Sequence, residues 1–126
     1  MISRVGQIML YVNNQDEAAR FWTDVMGFTV ISEENGQGMR WIEVAPSSDS
    51  ETSFVLHDKE FIAKMEPDLN LGTPSLMLFT DDLEKLHSSL VEKGITVGEI
   101  VALPSGKVFN FADREDNYFA VMEKTK

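Results

Sequence analysis

Two stretches decide the fold: Gln7-Ile-Met-Leu-Tyr11 and Ser75-Leu-Met-Leu-Phe79. Both have the apolar, strand-forming character of a β-strand, in which successive side chains point to opposite faces. Their surroundings repeat as well. Each is followed by a polar corner and then by a helical segment that stops at a glycine. That glycine is Gly27, 20 positions after Gln7, and Gly94, 19 positions after Ser75. Glycine ends a helix cheaply because it takes the left-handed conformation without a steric penalty. Phe28-Thr-Val30 then matches Ile95-Thr-Val97. Agreement in order, spacing and residue type favours an internal duplication over coincidence.

Working outward, the first half reads as strands over residues 4–12, 28–33, 39–44 and 52–56, and the second as strands over 74–80, 96–103, 108–112 and 118–123. Helices are expected over 15–26, with Ala18, Phe21, Trp22 and Val25 at helical spacing, and over 82–93, with Leu83, Leu86, Leu90 and Val91. Asn13 or Asn14 is placed to cap the first, and Asp81 or Asp82 the second. Asn35-Gly36 is the hairpin signal between the second and third strands. A short helix is expected around 61–65, and 124–126 reads as a frayed tail. The fold class is therefore α+β: two βαβββ modules, 1–58 and 74–126, joined by a linker at 59–73 in one domain spanning 1–126. Equivalent modules pack about a pseudo-twofold axis. One helix per module covers one face of its sheet, so the other face must curve over a cavity or meet a partner.

Composition narrows the chemistry. A chain of 126 residues with 43% hydrophobic residues can bury a core of its own. It has no cysteine, which removes disulfides, thiolate zinc sites and thiol nucleophiles, and fits a reducing cytoplasm. The net charge of -10 argues against a nucleic-acid partner, because phosphate binding needs lysine and arginine. No signal peptide or membrane-length apolar run is visible, so no membrane partner is expected. There is no glycine-rich phosphate loop, nucleophile elbow or His-Glu-x-x-His.

The stretch 5–12, the segment Ala18-Ala19-Arg20-Phe21-Trp22, Val25-Met26-Gly27-Phe28, and in the second half 75–82 and the turn 113–117 before a last strand together resemble the vicinal oxygen chelate superfamily, the glyoxalase, bleomycin-resistance and extradiol dioxygenase family. The resemblance covers nearly the whole chain. It implies paired βαβββ modules whose sheets cup a ligand, and a homodimer. Catalytic members place metal ligands on four strand positions. These fall on Gln7, near Ser53, on Ser75 and on Ala120. One amide and two hydroxyls carry too little charge to replace a divalent ion's hydration shell, so no metal or other cofactor is expected.

If Gln7 faces the cavity, alternation sends Met9 and Tyr11 there too, with Ser75, Met77 and Phe79 from the fifth strand and Ala120 and Met122 from the last. Trp41 joins this candidate ligand-binding set, although the face of its strand is undetermined. Such a lining suits an aromatic or amphipathic small molecule. The same side chains would equally fill a ligandless core. His57, at a strand end beside Asp58, reads as a solvated histidine or a lone base, and His87 as a helix-flank residue. The function expected is metal-independent binding of a small molecule, sequestering an aromatic or cationic compound. The alternative is a metal-dependent lyase or isomerase resembling glyoxalase I that uses Gln7 and a further carboxylate.

Overall fold

Both principal helices begin on side-chain caps. The Asn14 side chain accepts from the Glu17 amide, and the Asp82 side chain from the Lys85 amide. In a computed structural model describing residues 1–124, the strands are β1 (Gln7–Val12), β2 (Thr29–Gly36), β3 (Met39–Ala45), β4 (Ser53–Asp58), β5 (Met77–Thr80), β6 (Val101–Leu103), β7 (Gly106–Ala112) and β8 (Tyr118–Glu123). The helices are α1 (Gln15–Arg20), continued by a π-helical turn Phe21–Val25, then α2 (Lys59–Met65) and α3 (Leu83–Glu92). Of the expected tail, residues 125 and 126 lie outside the described residues. The chain divides into two compact units, Met1–Gly72 and one that begins at Thr73.

The two units share one topology. The first sheet runs β1-β4-β3-β2 and the second β5-β8-β7-β6. In each, the strand before the helix pairs parallel with the last strand, and the other neighbours are antiparallel. This is the expected α+β architecture of two βαβββ modules.

The first module packs α1 and its π turn on one face of its sheet. Leu10, Val12, Ile42, Val44, Phe54 and Leu56 are buried, as are Phe21 and Trp22. The Trp22 ring lies 5.0 Å from those of both Phe28 and Phe54. Gln15 Nε2 ties helix to sheet by donating to the carbonyls of Arg40 at 2.7 Å and Leu56 at 3.0 Å. In the second module Leu83, Leu90, Phe109, Phe111, Phe119 and Val121 are buried, with Phe111 and Phe119 stacked at 5.6 Å.

Four local features differ from the sequence expectation. The expected helix over 15–26 is not uniform. Asn14 to Gly27 spans 13 positions and Asp82 to Gly94 spans 12, so the first helix holds one residue more. The surplus is taken up as a π turn, in which the Met26 amide donates to the Phe21 carbonyl five residues back. The β2–β3 hairpin turns later than Asn35-Gly36. Gly36 pairs with Met39, and the loop is Gln37-Gly38, with φ of 54° and 78°. Both positive angles match the type I′ turn favoured in two-residue hairpins. The strand expected over 74–80 forms only from Met77, which leaves Ser75 outside it. The strand expected over 96–103 shrinks to β6, with Val97 alone bridging Phe111.

Candidate functional site

On the first sheet, the face opposite α1 is built from rows of side chains in register. Gln7 lies beside Ser53. Met9 lies beside Val55, which neighbours Glu43 on its other side. Tyr11 lies beside His57, which neighbours Trp41. The face of Trp41, undetermined in the sequence, is therefore that of Gln7, Met9 and Tyr11.

One end of this face is polar and organised by Glu43. Its carboxylate accepts from Ser53 Oγ at 2.5 Å, from Ser32 Oγ at 3.1 Å and from Gln7 Nε2 at 3.4 Å. The Ser53 hydrogen bond above all, aided by those from Ser32 and Gln7, holds the Glu43 carboxyl below its usual range against the opposing effect of burial. Among the described residues no lysine or arginine pairs with it. Ser53 is only 6% exposed, so the donor is fixed in place. Gln7, Glu43 and Ser53 line a cleft of about 380 Å³ together with Arg4, Ser50 and Glu51. Arg4 supplies the cleft's cation, and its guanidinium donates to the Glu51 carbonyl.

The other end is aromatic. The Tyr11 and His57 rings stack with centroids 5.9 Å apart and planes 25° apart. His57 Nε2 lies 3.2 Å from Met9 Sδ, while Nδ1 is buried with no hydrogen-bond partner. Burial pushes the His57 pKa below its usual value, because a charged ring here would lose water without gaining a counter-charge. The ring is thus half-buried and neutral at physiological pH, and the expectation of a solvated strand-end histidine is corrected. His87, by contrast, flanks its helix as expected and approaches the Gly98 carbonyl at 3.0 Å.

On the second sheet Met77 pairs with Ala120 and Phe79 with Met122, on the face opposite the buried Phe119 and Val121. Phe79 is 66% exposed. Ser75 is exposed and precedes β5. Ala120 is in register with Met77, two residues past Ser75, so Ser75 and Ala120 do not form a row as Gln7 and Ser53 do.

Sequence reasoning placed Gln7, Met9 and Tyr11 together on one face but missed Glu43 and underrated His57. Alternation along β4 from Ser53 leads to His57. Glu43 is two residues from Trp41 and shares its face, but only the pairing of β3 with β4 says which face that is.

The donor set does not fit a divalent metal. Gln7 and Ser53 offer an amide and a hydroxyl, and Glu43 is, among the described residues, the one carboxylate hydrogen-bonded to them, too little negative charge to replace a divalent ion's hydration shell. No group of three or more histidine, aspartate or glutamate side chains able to hold a metal occurs among the described residues.

A tandem βαβββ fold with an apolar and amide-lined sheet face defines a class, and comparison with known proteins agrees. Residues 4–121 match the model of the Glyoxalase/Bleomycin resistance protein/Dioxygenase superfamily, and the chain belongs to that superfamily. YetH of Bacillus subtilis (strain 168) is 27% identical over 125 residues, covering 98% of this chain and all of its own. YurT of the same organism is 31% identical over 91 residues, 69% of this chain and 72% of its own. The crystal structure of TnmS3, an antibiotic binding protein from Streptomyces sp. CB03234, superposes with a TM-score of 0.84 at 29% identity over 98% of each chain.

Proposed function

We propose that this protein binds a small molecule without a metal, sequestering an aromatic or cationic compound against the sheet face that carries Gln7, Met9, Tyr11 and Trp41. The observation that carries the reading is the composition of that face. A stacked Tyr11–His57 pair, Met9 and Trp41 provide ring and thioether contacts, while the polar end holds neutral donors, the Glu43 and Glu51 side chains and Arg4 but, among the described residues, no metal-ligand set. The likeness to TnmS3 supports the same class of activity. On the second unit's own sheet and the segment before it, Ser75, Met77, Phe79, Ala120 and Met122 are proposed as a separate set of ligand contacts. The exposed Met77, Phe79, Val101, Leu103 and Tyr118 support assembly as a homodimer. Among the described residues no helix is long and apolar enough to cross a membrane, and a cytoplasmic location is proposed, with which the cysteine-free composition is compatible.

Trp41 makes the reading testable. Trp22 is sealed in the core, so a ligand on this face should quench Trp41 alone, and Trp41→Phe should abolish the response while leaving the fold intact. A screen of aromatic compounds that leaves the fluorescence unchanged and shows no calorimetric heat would end the reading. A second reading, the glyoxalase-I-like lyase, is favoured by one observation: Glu43 places a carboxylate beside Gln7. Tight stoichiometric binding of nickel, zinc or manganese that disappears in Glu43→Gln would replace the first reading with the second.

A further inference from the structure

The face just described has an unbalanced charge. Glu43 is held by three neutral donors and, among the described residues, by no cation. The three bonds to the carboxylate are already charge-assisted, but they leave its negative charge uncompensated, so a cationic donor gains a Coulombic attraction that a neutral donor does not. The ring-binding end begins two residues away on the same strand. Trp41 and Glu43 point to one face, so their Cα atoms are about 7 Å apart by the rise of a β-strand. Glu43 and Trp41 are both half-buried, so neither is sealed from solvent. His57, beside Trp41, is kept neutral by burial and does not repel a positive ligand.

We propose that Glu43 is the receptor for a protonated amine, and that the ligand is an arylalkylamine: an aromatic ring against Trp41, Tyr11 and Met9, joined by a short linker to an ammonium group that donates to the Glu43 carboxylate. This inference rests on the small-molecule reading above and narrows it to a chemical class. The groups facing the ammonium position are Gln7, Ser32 and Ser53, with Arg4 and Glu51 on the cleft wall. Arg4 opposes a cation and Glu51 favours one. Because Arg4 is exposed whereas Glu43 is half-buried, the Glu43 charge is the less screened of the two.

Three matched probes test it: 2-(1-naphthyl)ethylamine, the neutral 2-(1-naphthyl)ethanol and the anionic 3-(1-naphthyl)propanoate, titrated calorimetrically into the whole protein. The amine should bind about tenfold more tightly than the alcohol, the scale of the ammonium–carboxylate attraction at a solvent-accessible site, and the carboxylate most weakly. Glu43→Gln should remove the preference, bringing amine and alcohol to within about twofold of each other. Salt gives a reading that needs no variant: amine affinity should fall as sodium chloride rises, and alcohol affinity should not. Equal binding of amine and alcohol to the wild-type protein would overturn the inference while sparing the small-molecule reading. Tighter binding of the carboxylate would overturn it in favour of Arg4. Failure of all three probes to bind would overturn the arylalkylamine inference, while the small-molecule reading stands or falls on the wider aromatic screen.

Discussion

At the scale of single residues, Glu43 and His57 make the candidate face sensitive to acid, for opposite chemical reasons and with the same sign. Glu43 has a depressed carboxyl pKa, so its contribution to stability is present above the unfolded value and lost as pH falls through the folded one. His57 has a depressed imidazole pKa, so the unfolded chain takes up its proton first. Its effect begins below about pH 6.5 and grows until the folded ring also titrates. Denaturant melts should therefore show stability falling from pH 7 to pH 5, and His57→Phe, which keeps a stacking ring but does not titrate, should flatten that part of the curve. An unchanged slope in the variant would mean that burial does not hold the ring neutral. Ser53→Ala removes the donor that most depresses Glu43. We expect a loss of about 1–3 kcal/mol for a part-buried bond to a charged acceptor and a rise in the Glu43 pKa, read from its carboxyl carbon shift.

Among the elements, the hairpin and the first helix each contain a choice that local chemistry alone leaves ambiguous. Asn35-Gly36 and Gln37-Gly38 are both plausible two-residue turns, and Asn-Gly is the stronger signal. The strand pairing selects the second, placing Gln37 at φ 54° and Gly38 at φ 78°. Alanine scanning of the two glycines separates the alternatives. Gly38→Ala should cost about 1 kcal/mol or more because a side chain there must enter the left-handed region, whereas Gly36→Ala should stay within about 0.5 kcal/mol. Gln37→Asn should raise the melting temperature, since asparagine tolerates that region better. The reverse ranking of the two glycines would relocate the turn. In the first helix the π turn lets the consecutive side chains Phe21 and Trp22 both be buried. Trp22→Ala should cost about 3–5 kcal/mol, because it empties the space between Phe21, Phe28 and Phe54.

Across the whole molecule, charge and exposed apolar surface set the behaviour. A net charge of -10 on 126 residues makes self-repulsion a cost of folding. Raising sodium chloride from about 0.02 M to about 0.5 M at neutral pH should therefore raise the melting temperature. The exposed Phe79 and Met77 should drive association, so sedimentation should report a dimer that Phe79→Glu converts to monomer. A monomeric wild-type protein would remove the homodimer from the proposed function.

The duplicated Gln7–Tyr11 and Ser75–Phe79 stretches, the two glycine-terminated helices and the alternation of apolar residues determined the tandem βαβββ architecture from the sequence alone. Periodicity and capping are local, so a single chain displays them. The same alternation put Gln7, Met9 and Tyr11 on one face. What joined them there, Glu43, His57 and Trp41, depended on which residue of β3 faces which residue of β4 and β1. Register is set by the sum of contacts across a sheet, and a slip of one residue would turn Glu43 and Trp41 to the opposite face. The carboxylate's three donors come from β1, β2 and β4, strands far apart in sequence. Only the assembled sheet could reveal that they meet.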